Sequence, residues 1–301
     1  MVKSALTVNA EYLALRGACA LVNAVSYPLA MALARGLGWA AFKVFRFKRR
    51  RTLARIRGVF PEMHAREAER VAVRSLQNVL QTAVEMIRAP RLTRAWMDRY
   101  VADGALYKDK LQQFVDEGKG VVIMVPHSGN WYMAAWSMAK YGLPLFAIGA
   151  RQRNPKLDAW MKRQYGDVEV LDRNCRSTLF KIHERLAKGR AFAILPDLRV
   201  RHPDVEVDFL GGKANVSHAG AAFAVNCGCP IVLATMLRRD GRHVFNYVTT
   251  LRPDPQAPDR KEEARRLTRQ ALEILSDEIM KSPGDWYWFN KRWILEPVGG
   301  H

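Results

Sequence analysis

The chain has 301 residues, 49% of them hydrophobic, with 48 Lys and Arg against 29 Asp and Glu, a formal net charge of +19. That length and apolar content suffice for one large α/β domain or two smaller ones and exclude a disordered chain. The charge calls for a polyanionic partner, whether nucleic acid, an anionic membrane surface or an acidic substrate. Cys19, Cys175, Cys227 and Cys229 form no C-x-x-C pair and show no His/Cys spacing of a zinc site, so they read as free thiols of a reducing compartment.

In chain order, residues 10 to about 57 read as helices. Within them, Gly17 to Ala34 carries no charged side chain and is interrupted by Pro28. It is at the lower limit for spanning a bilayer, and the proline weakens that reading. Its flanks, Arg16 and Arg35, also suit an in-plane helix pair pressed into one leaflet. The basic cluster that follows (Lys43, Arg46, Lys48, Arg49, Arg50, Arg51, Arg55 and Arg57) would then face anionic headgroups. The alternative is a buried helix of the globular core with a solvated basic end. No small-residue cleavage site marks a signal peptide.

Phe60-Pro61-Glu62 breaks the helical region, which sets an expected boundary between residues 1–60 and 61–301. Helices are expected over Arg66–Ile87 and Leu106–Glu117, the second stopped by Gly118-Lys119-Gly120. A strand over Val121–Val125 follows, then a helix over Trp131–Tyr141 and a strand over Leu145–Gly149. Asn154-Pro155 opens a helix reaching Tyr165, with proline tolerated in its first turn. Val168–Leu171 reads as a strand, Ser177–Lys188 as a helix ended by Gly189, and Ala191–Leu195 as a strand ended by Pro196-Asp197. Val205–Leu210 is strand-like, Ala219–Asn226 helical, Ile231–Leu237 a strand, His243–Thr250 an antiparallel-type strand, and Lys261–Met280 the last long helix. The alternation predicts an α/β fold, a mixed central sheet flanked by helices, with an N-terminal membrane-associating helical segment.

The most informative residue is His127. It closes the apolar run Val121–Pro126 and opens the polar turn Ser128-Gly129-Asn130, so it sits at a strand exit, where α/β proteins place their sites. Imidazole suits removal of a hydroxyl proton near neutral pH. A structural histidine at a strand end is the alternative. Ser128, Gly129 and Asn130 either offer backbone N–H groups to an oxyanion or simply cap the helix that follows.

The phrase Val125-Pro126-His127-Ser128-Gly129-Asn130-Trp131 resembles the active-site block of the bacterial lipid A biosynthesis (late) acyltransferase family, which includes the mycobacterial phosphatidylinositol mannoside acyltransferases. The resemblance extends over roughly residues 15–295. Leu80–Glu85 looks like the family's helix before the site, and Arg151-x-x-Asn154-Pro155-x-x-Asp158 like its second block. Leu195-Pro196-Asp197 with Val205–Gly211 looks like the third, and Trp286–Trp293 like its aromatic-basic ending.

The resemblance implies acyl transfer from an acyl thioester, acyl-CoA or acyl carrier protein, to a hydroxyl of a glycolipid or lysolipid. It places that reaction at the cytoplasmic face of the inner membrane, with no metal or other cofactor. It implies His127 as general base, oriented by a carboxylate. The family pattern H-x-x-x-x-D/E would put that carboxylate at position 132, where this chain has Tyr132, and a phenol is neutral near pH 7.

Three arrangements follow. Another carboxylate serves, either Glu206, favoured by the mannoside acyltransferase pattern, or Asp197. Or Tyr132 holds the imidazole weakly. Or the protein is a catalytically degenerate lipid-binding paralogue. Ser128, Asn130, Tyr132, Arg151 and Arg163 form the expected substrate-binding set, with ordinary surface pairing to Asp158 or Asp167 as the alternative for the two arginines. An apolar groove for the acyl chain is expected along Trp131, Met133 and Trp136.

The aromatic-basic ending reads either as a headgroup-level belt or as core. His183, His202, His218 and His243 show no ligand spacing. No nucleic-acid motif accompanies the charge, so no nucleic-acid partner is expected. A serine hydrolase lacks its G-x-S-x-G elbow here.

Overall fold

The computed structural model describes residues 4–200 and 202–295. Helix α1 (Ala5–Ala24) is capped by Ser4, whose hydroxyl accepts from the Thr7 N–H. Val25 and Ser26 are extended, and α2 (Tyr27–Lys43) restarts with Pro28 in its first turn. The uncharged stretch is therefore divided between two helices. Among the described residues no helix is long and apolar enough to cross a membrane. This corrects the spanning reading: extended backbone at Val25-Ser26 cuts the uncharged stretch in two, so neither helix carries the whole of it.

Helix α3 (Arg49–Val59) and the long α4 (Ala65–Arg88) follow. The face of α4 carrying Ala68, Val71, Ala72, Ser75 and Leu76 is buried at helical spacing. Helix α2 crosses α4 at Gly38, where a Cβ would lie 2.9 Å from the Gln77 Cα, so only glycine permits that approach.

The α/β part runs α5 (Arg94–Tyr100), β1 (Val101–Ala102), α6 (Gly104–Asp116), β2 (Val121–Met124), α7 (Trp131–Lys140), β3 (Leu145–Gly149), α8 (Pro155–Gln164), β4 (Glu169–Asp172), α9 (Thr178–Ala187) and β5 (Ala191–Ile194). It continues β6 (Val205–Phe209), β7 (Gly212–Val216), α10 (Ala219–Cys227), β8 (Ile231–Arg239), β9 (Arg242–Leu251) and α11 (Arg260–Lys281). The main sheet has seven strands in the order β1-β9-β8-β2-β5-β3-β4. Neighbours are parallel except β8 and β9, which form an antiparallel hairpin. Asp240 and Gly241, both at positive φ, turn that hairpin. The sheet is thus mixed and flanked by helices.

Strand β2 is buried on both faces. Val121, Ile123 and Val125 pack with α6 and α7 residues such as Leu111 and Met133, while Val122 and Met124 pack with α9, α10 and α11. That two-sided burial explains its uninterrupted apolar run. Helix α5 and strands β1 and β7 were not expected from the sequence. The first two are short, and β7 (Gly-Lys-Ala-Asn-Val) has weak strand character until it pairs with β6. The β6–β7 hairpin forms a third core with α2, α3, α4 and the C-terminal Trp286, Trp288 and Phe289. The aromatic ending is therefore core rather than belt, and Trp286 and Trp288 are fully buried.

Glu85 of α4, 0% exposed, joins these parts. Its Oε1 accepts from the Tyr27 hydroxyl and from His243 Nε2, each at 2.7 Å, and its Oε2 from Asn130 Nδ2 at 2.6 Å and from Arg238. Burial alone would raise the Glu85 pKa, but the Arg238 and His243 charges outweigh it and hold the carboxyl ionised, well below the ordinary range. Burial, reinforced by this carboxylate, pushes the Tyr27 phenol far up. Substituting Glu85→Ala strands Arg238 and His243 without their carboxylate. We expect a loss of about 3–5 kcal/mol in urea unfolding, the cost typical of breaking a buried ion pair.

Candidate active site

The parallel register of β2 and β5 builds the site. Met124 stands opposite Ile194, so the segments Val125-Pro126-His127 and Leu195-Pro196-Asp197 leave the sheet side by side. The prolines end both ladders. His127 Nδ1 lies 2.7 Å from Asp197 Oδ1. Asp197 Oδ2 accepts from the His127 backbone N–H and from Trp286 Nε1, each at 2.7 Å.

Asp197 is fully buried. Burial would raise its pKa, but the His127 interaction, the Trp286 bond and the backbone donor reverse that, so the carboxyl is held below its ordinary value. An ionised carboxylate only accepts, which puts a ring proton on Nδ1 and, in the neutral tautomer, leaves Nε2 with its lone pair. A buried carboxylate that fixes the tautomer of a histidine in this way is an arrangement able to support proton transfer.

His127 lines two clefts. One, of about 300 Å³, is walled by Val125, Trp131, Tyr132, Trp136, Met161 and Phe245 among other mostly apolar residues. The other, of about 340 Å³, lies across the β5 exit and is lined by Met124, Leu198, Ala221, Arg173, Arg199 and Arg292 among others. An imidazole shared by an apolar cleft and one edged with arginines can serve two substrates of different chemistry.

The Ser128-Gly129-Asn130 turn is pinned from every side. Gly129 N–H donates to the Asp285 carbonyl at 2.9 Å, Asn130 N–H to the Met236 carbonyl at 3.0 Å, and Ser128 N–H to the Pro126 carbonyl at 2.7 Å. The Tyr287 N–H closes on the His127 carbonyl at 3.0 Å.

Residues 4–294 of the chain match the family model described as bacterial lipid A biosynthesis acyltransferase. The chain belongs to this family. It is 24% identical to a phosphatidylinositol mannoside acyltransferase of Mycolicibacterium smegmatis over 194 residues, 62% of this chain and 61% of that relative, so less than two thirds of that relative's length is spanned. A phosphatidylinositol mannoside acyltransferase of Mycobacterium tuberculosis is 24% identical over 82% of this chain and 77% of its own. A lipid A biosynthesis palmitoleoyltransferase of Escherichia coli is 23% identical over 84% of this chain and 81% of its own.

Within this family site, the expected residues separate clearly. Of the two expected carboxylates, Asp197 meets His127. Glu206, the favoured one, does not: on β6 the odd positions Val205, Val207 and Phe209 are buried, and the alternation leaves Glu206 exposed on the outer face. Tyr132 makes no hydrogen bond to the imidazole. It lines the apolar cleft and stacks on Trp136 with ring centroids 5.6 Å apart. Burial pushes its phenol further up, so it stays neutral. Of the expected groove residues, Trp131 and Trp136 line the cleft, whereas Met133 is fully buried in the core behind it.

Ser128 and Asn130 line neither cleft. Asn130 caps α7, accepting from the Met133 N–H at 3.0 Å, and all three turn N–H groups are committed to carbonyls. The capping alternative therefore replaces the oxyanion one. The Ser128 hydroxyl is buried without a hydrogen-bond partner among the described residues. Arg151 pairs with Asp172, not Asp158 or Asp167, and lies outside both His127 clefts; Arg163 is exposed on α8. Asp158 instead pairs with Lys162, and Asp167 with Lys140.

Sequence reasoning missed Arg173, Arg199 and Arg292, which are scattered along the chain and are brought together at one cleft, where the Arg199 N–H also donates to the Arg292 carbonyl at 3.4 Å. It also missed Trp286 as a ligand of Asp197. The matching apolar-Pro-His and apolar-Pro-Asp strand endings were the available signal.

Gly129 sits at φ +57°, and a Cβ there would lie 2.0 Å from the Met236 carbonyl oxygen. Gly129→Ala should cost more than the ~1–2 kcal/mol of a left-handed alanine alone, read as a lowered urea midpoint.

Proposed function

We propose that this chain transfers a fatty acyl group from an acyl thioester, acyl-CoA or acyl carrier protein, to a hydroxyl of a glycolipid or lysolipid acceptor. The observation that carries the reading is the His127–Asp197 pair at the meeting of an apolar cleft and one edged with three arginines. His127 Nε2 takes the acceptor's hydroxyl proton as the oxygen attacks the thioester carbonyl. When the tetrahedral intermediate collapses, the C–S bond breaks and the same proton passes to the leaving sulfur. Asp197 fixes the imidazole tautomer and stabilises the imidazolium between those steps. The acyl chain lies in the apolar cleft, past Tyr132 and Trp136. The arginine-edged cleft receives the polar partner. The reaction as proposed uses no metal or cofactor beyond the thioester.

The test is thioester consumption in detergent with a lipid-extract acceptor. His127→Ala is expected to abolish turnover, and Asp197→Asn to lower kcat by about 10⁴-fold with the fold intact. Tyr132→Asp should not raise the rate, because Asp197 already holds Nδ1. Turnover gained only in Tyr132→Asp, from a silent parent, would establish the degenerate lipid-binding reading instead.

The site of action we propose is the cytoplasmic face of the inner membrane, approached through the N-terminal helices (residues 1–60 serving the membrane, residues 61–301 the chemistry). Leu29, Leu33 and Leu37 are exposed on one stripe of α2, and Trp39, Phe45 and Phe47 are exposed nearby. Arg46, Arg50 and Arg51 follow on the exposed surface. An apolar stripe beside exposed cations suits an in-plane helix on anionic lipid. Replacing Leu29, Leu33 and Leu37 together by Ser should release the protein from phosphatidylglycerol vesicles in flotation with little change in its thermal midpoint, since all three are about half exposed and none belongs to a buried core.

A further inference from the structure

A separate cleft of about 540 Å³ lies between α2, α4 and the β8–β9 turn, and His127 does not line it. Its walls carry Arg35, Arg74, Arg238 and Arg242, opposed by a single lining carboxylate, Asp240. Arg74 and Arg238 are partly committed, to Asp285 and Glu85. Arg35 and Arg242 stand exposed at the rim.

His243 also lines this cleft, although its side chain is only 1% exposed. Its Nε2 meets the Glu85 carboxylate at 2.7 Å. Because that carboxylate only accepts, Nε2 carries a proton. The other ring nitrogen, Nδ1, and Arg238 Nε are both buried without a hydrogen-bond partner among the described residues. Buried polar atoms are rarely left so, and each calls for a reason.

We propose that this cleft binds a phosphate group, as a phosphate ester of a lipid headgroup or as free phosphate. Guanidinium groups match phosphate oxygens in geometry and charge. An anion there would accept from Arg238 Nε and from a protonated His243 Nδ1, satisfying both orphaned atoms at once. The occupant would also touch the active-site turn indirectly. His243 bonds Glu85, Glu85 Oε2 accepts from Asn130 Nδ2 at 2.6 Å, and Asn130 caps the helix that follows His127. The inference does not depend on the proposed acyl transfer.

The experiment uses the full chain in detergent with ¹⁵N-labelled histidines, assigned with a His243→Gln variant. Inorganic phosphate is titrated first, then vesicles of phosphatidylglycerol against vesicles of phosphatidylcholine. A saturable shift of the His243 ring resonances that weakens at least tenfold in Arg35→Gln/Arg242→Gln supports the site. If phosphatidylglycerol vesicles move those resonances and phosphatidylcholine vesicles do not, the source is an anionic headgroup. If inorganic phosphate alone moves them, the source is free phosphate. His243 resonances that stay still with every probe, or shifts indifferent to the double substitution, overturn the proposal. Should His243→Gln fail to fold, assignment by a paramagnetic label near the β8–β9 turn keeps the same readout.

Discussion

The site depends on a buried carboxylate that must find its donors. Asp197 is sealed from water, and a lone ionised carboxylate in that position would be prohibitively costly. It is tolerable because three donors converge on it: the His127 ring, the His127 backbone and the Trp286 indole. Two of them come from the exit of β2 and one from the C-terminal segment, so satisfying one charge brings three distant stretches of chain together. The contact then extends. Asp285 accepts from the Gly129 N–H, Trp286 bridges Ser128, and Tyr287 donates to His127. Asp285 is itself held by Arg74, Arg239 and Asn78.

Glu85 performs the matching task on the other side of the same turn. Between them the two carboxylates grip both ends of His127–Asn130, one through the imidazole and one through the asparagine amide. Replacing an ion pair by apolar packing often costs nothing, whereas removing one partner alone costs several kcal/mol. Such groups therefore contribute position more than net stability. Tyr27 also reaches Glu85, so the docking of α2 against α4 and the placement of the turn use one set of hydrogen bonds. The basic residues divide accordingly. Arg55 donates to the Trp288 and Asn290 carbonyls, and Arg49 and Lys43 both pair with Glu69, which accounts structurally for part of the cationic cluster before α4.

What was legible in the sequence follows from how local each signal is. The strands β2, β3, β5 and β8 are short apolar runs bounded by Gly or Pro, and they stood out because burial on both faces demands such runs. His127 stood out because it ends one. Strand β7 and helix α5 did not, since their form is imposed by β6 and by the sheet edge. The choice between Glu206 and Asp197 needed register rather than composition. Glu206 sits in an alternating strand whose inward positions are Val205, Val207 and Phe209, a pattern that turns the glutamate outward. Asp197 follows Leu195-Pro196 as His127 follows Val125-Pro126, which becomes informative only once β2 and β5 are known to be neighbours. The pairing of Glu85 with His243 stayed hidden for the same reason: 158 positions separate them in sequence, and nothing local marks the pair.

Tyr132 then becomes intelligible. The position five residues beyond His127 lies in the first turn of α7 and faces the apolar cleft among Trp131, Trp136 and Tyr165. A carboxylate there would be desolvated on the wall of that cleft. With Asp197 approaching the imidazole from the sheet side, α7 carries no charge toward the cavity. Burial keeps both phenols neutral, pushing Tyr165 up to about 12. The aromatic wall beside His127 can therefore stay uncharged. With Asp197 supplying the carboxylate from the neighbouring strand, an aromatic residue at position 132 leaves the imidazole its partner and keeps this side of the cleft free of a buried charge.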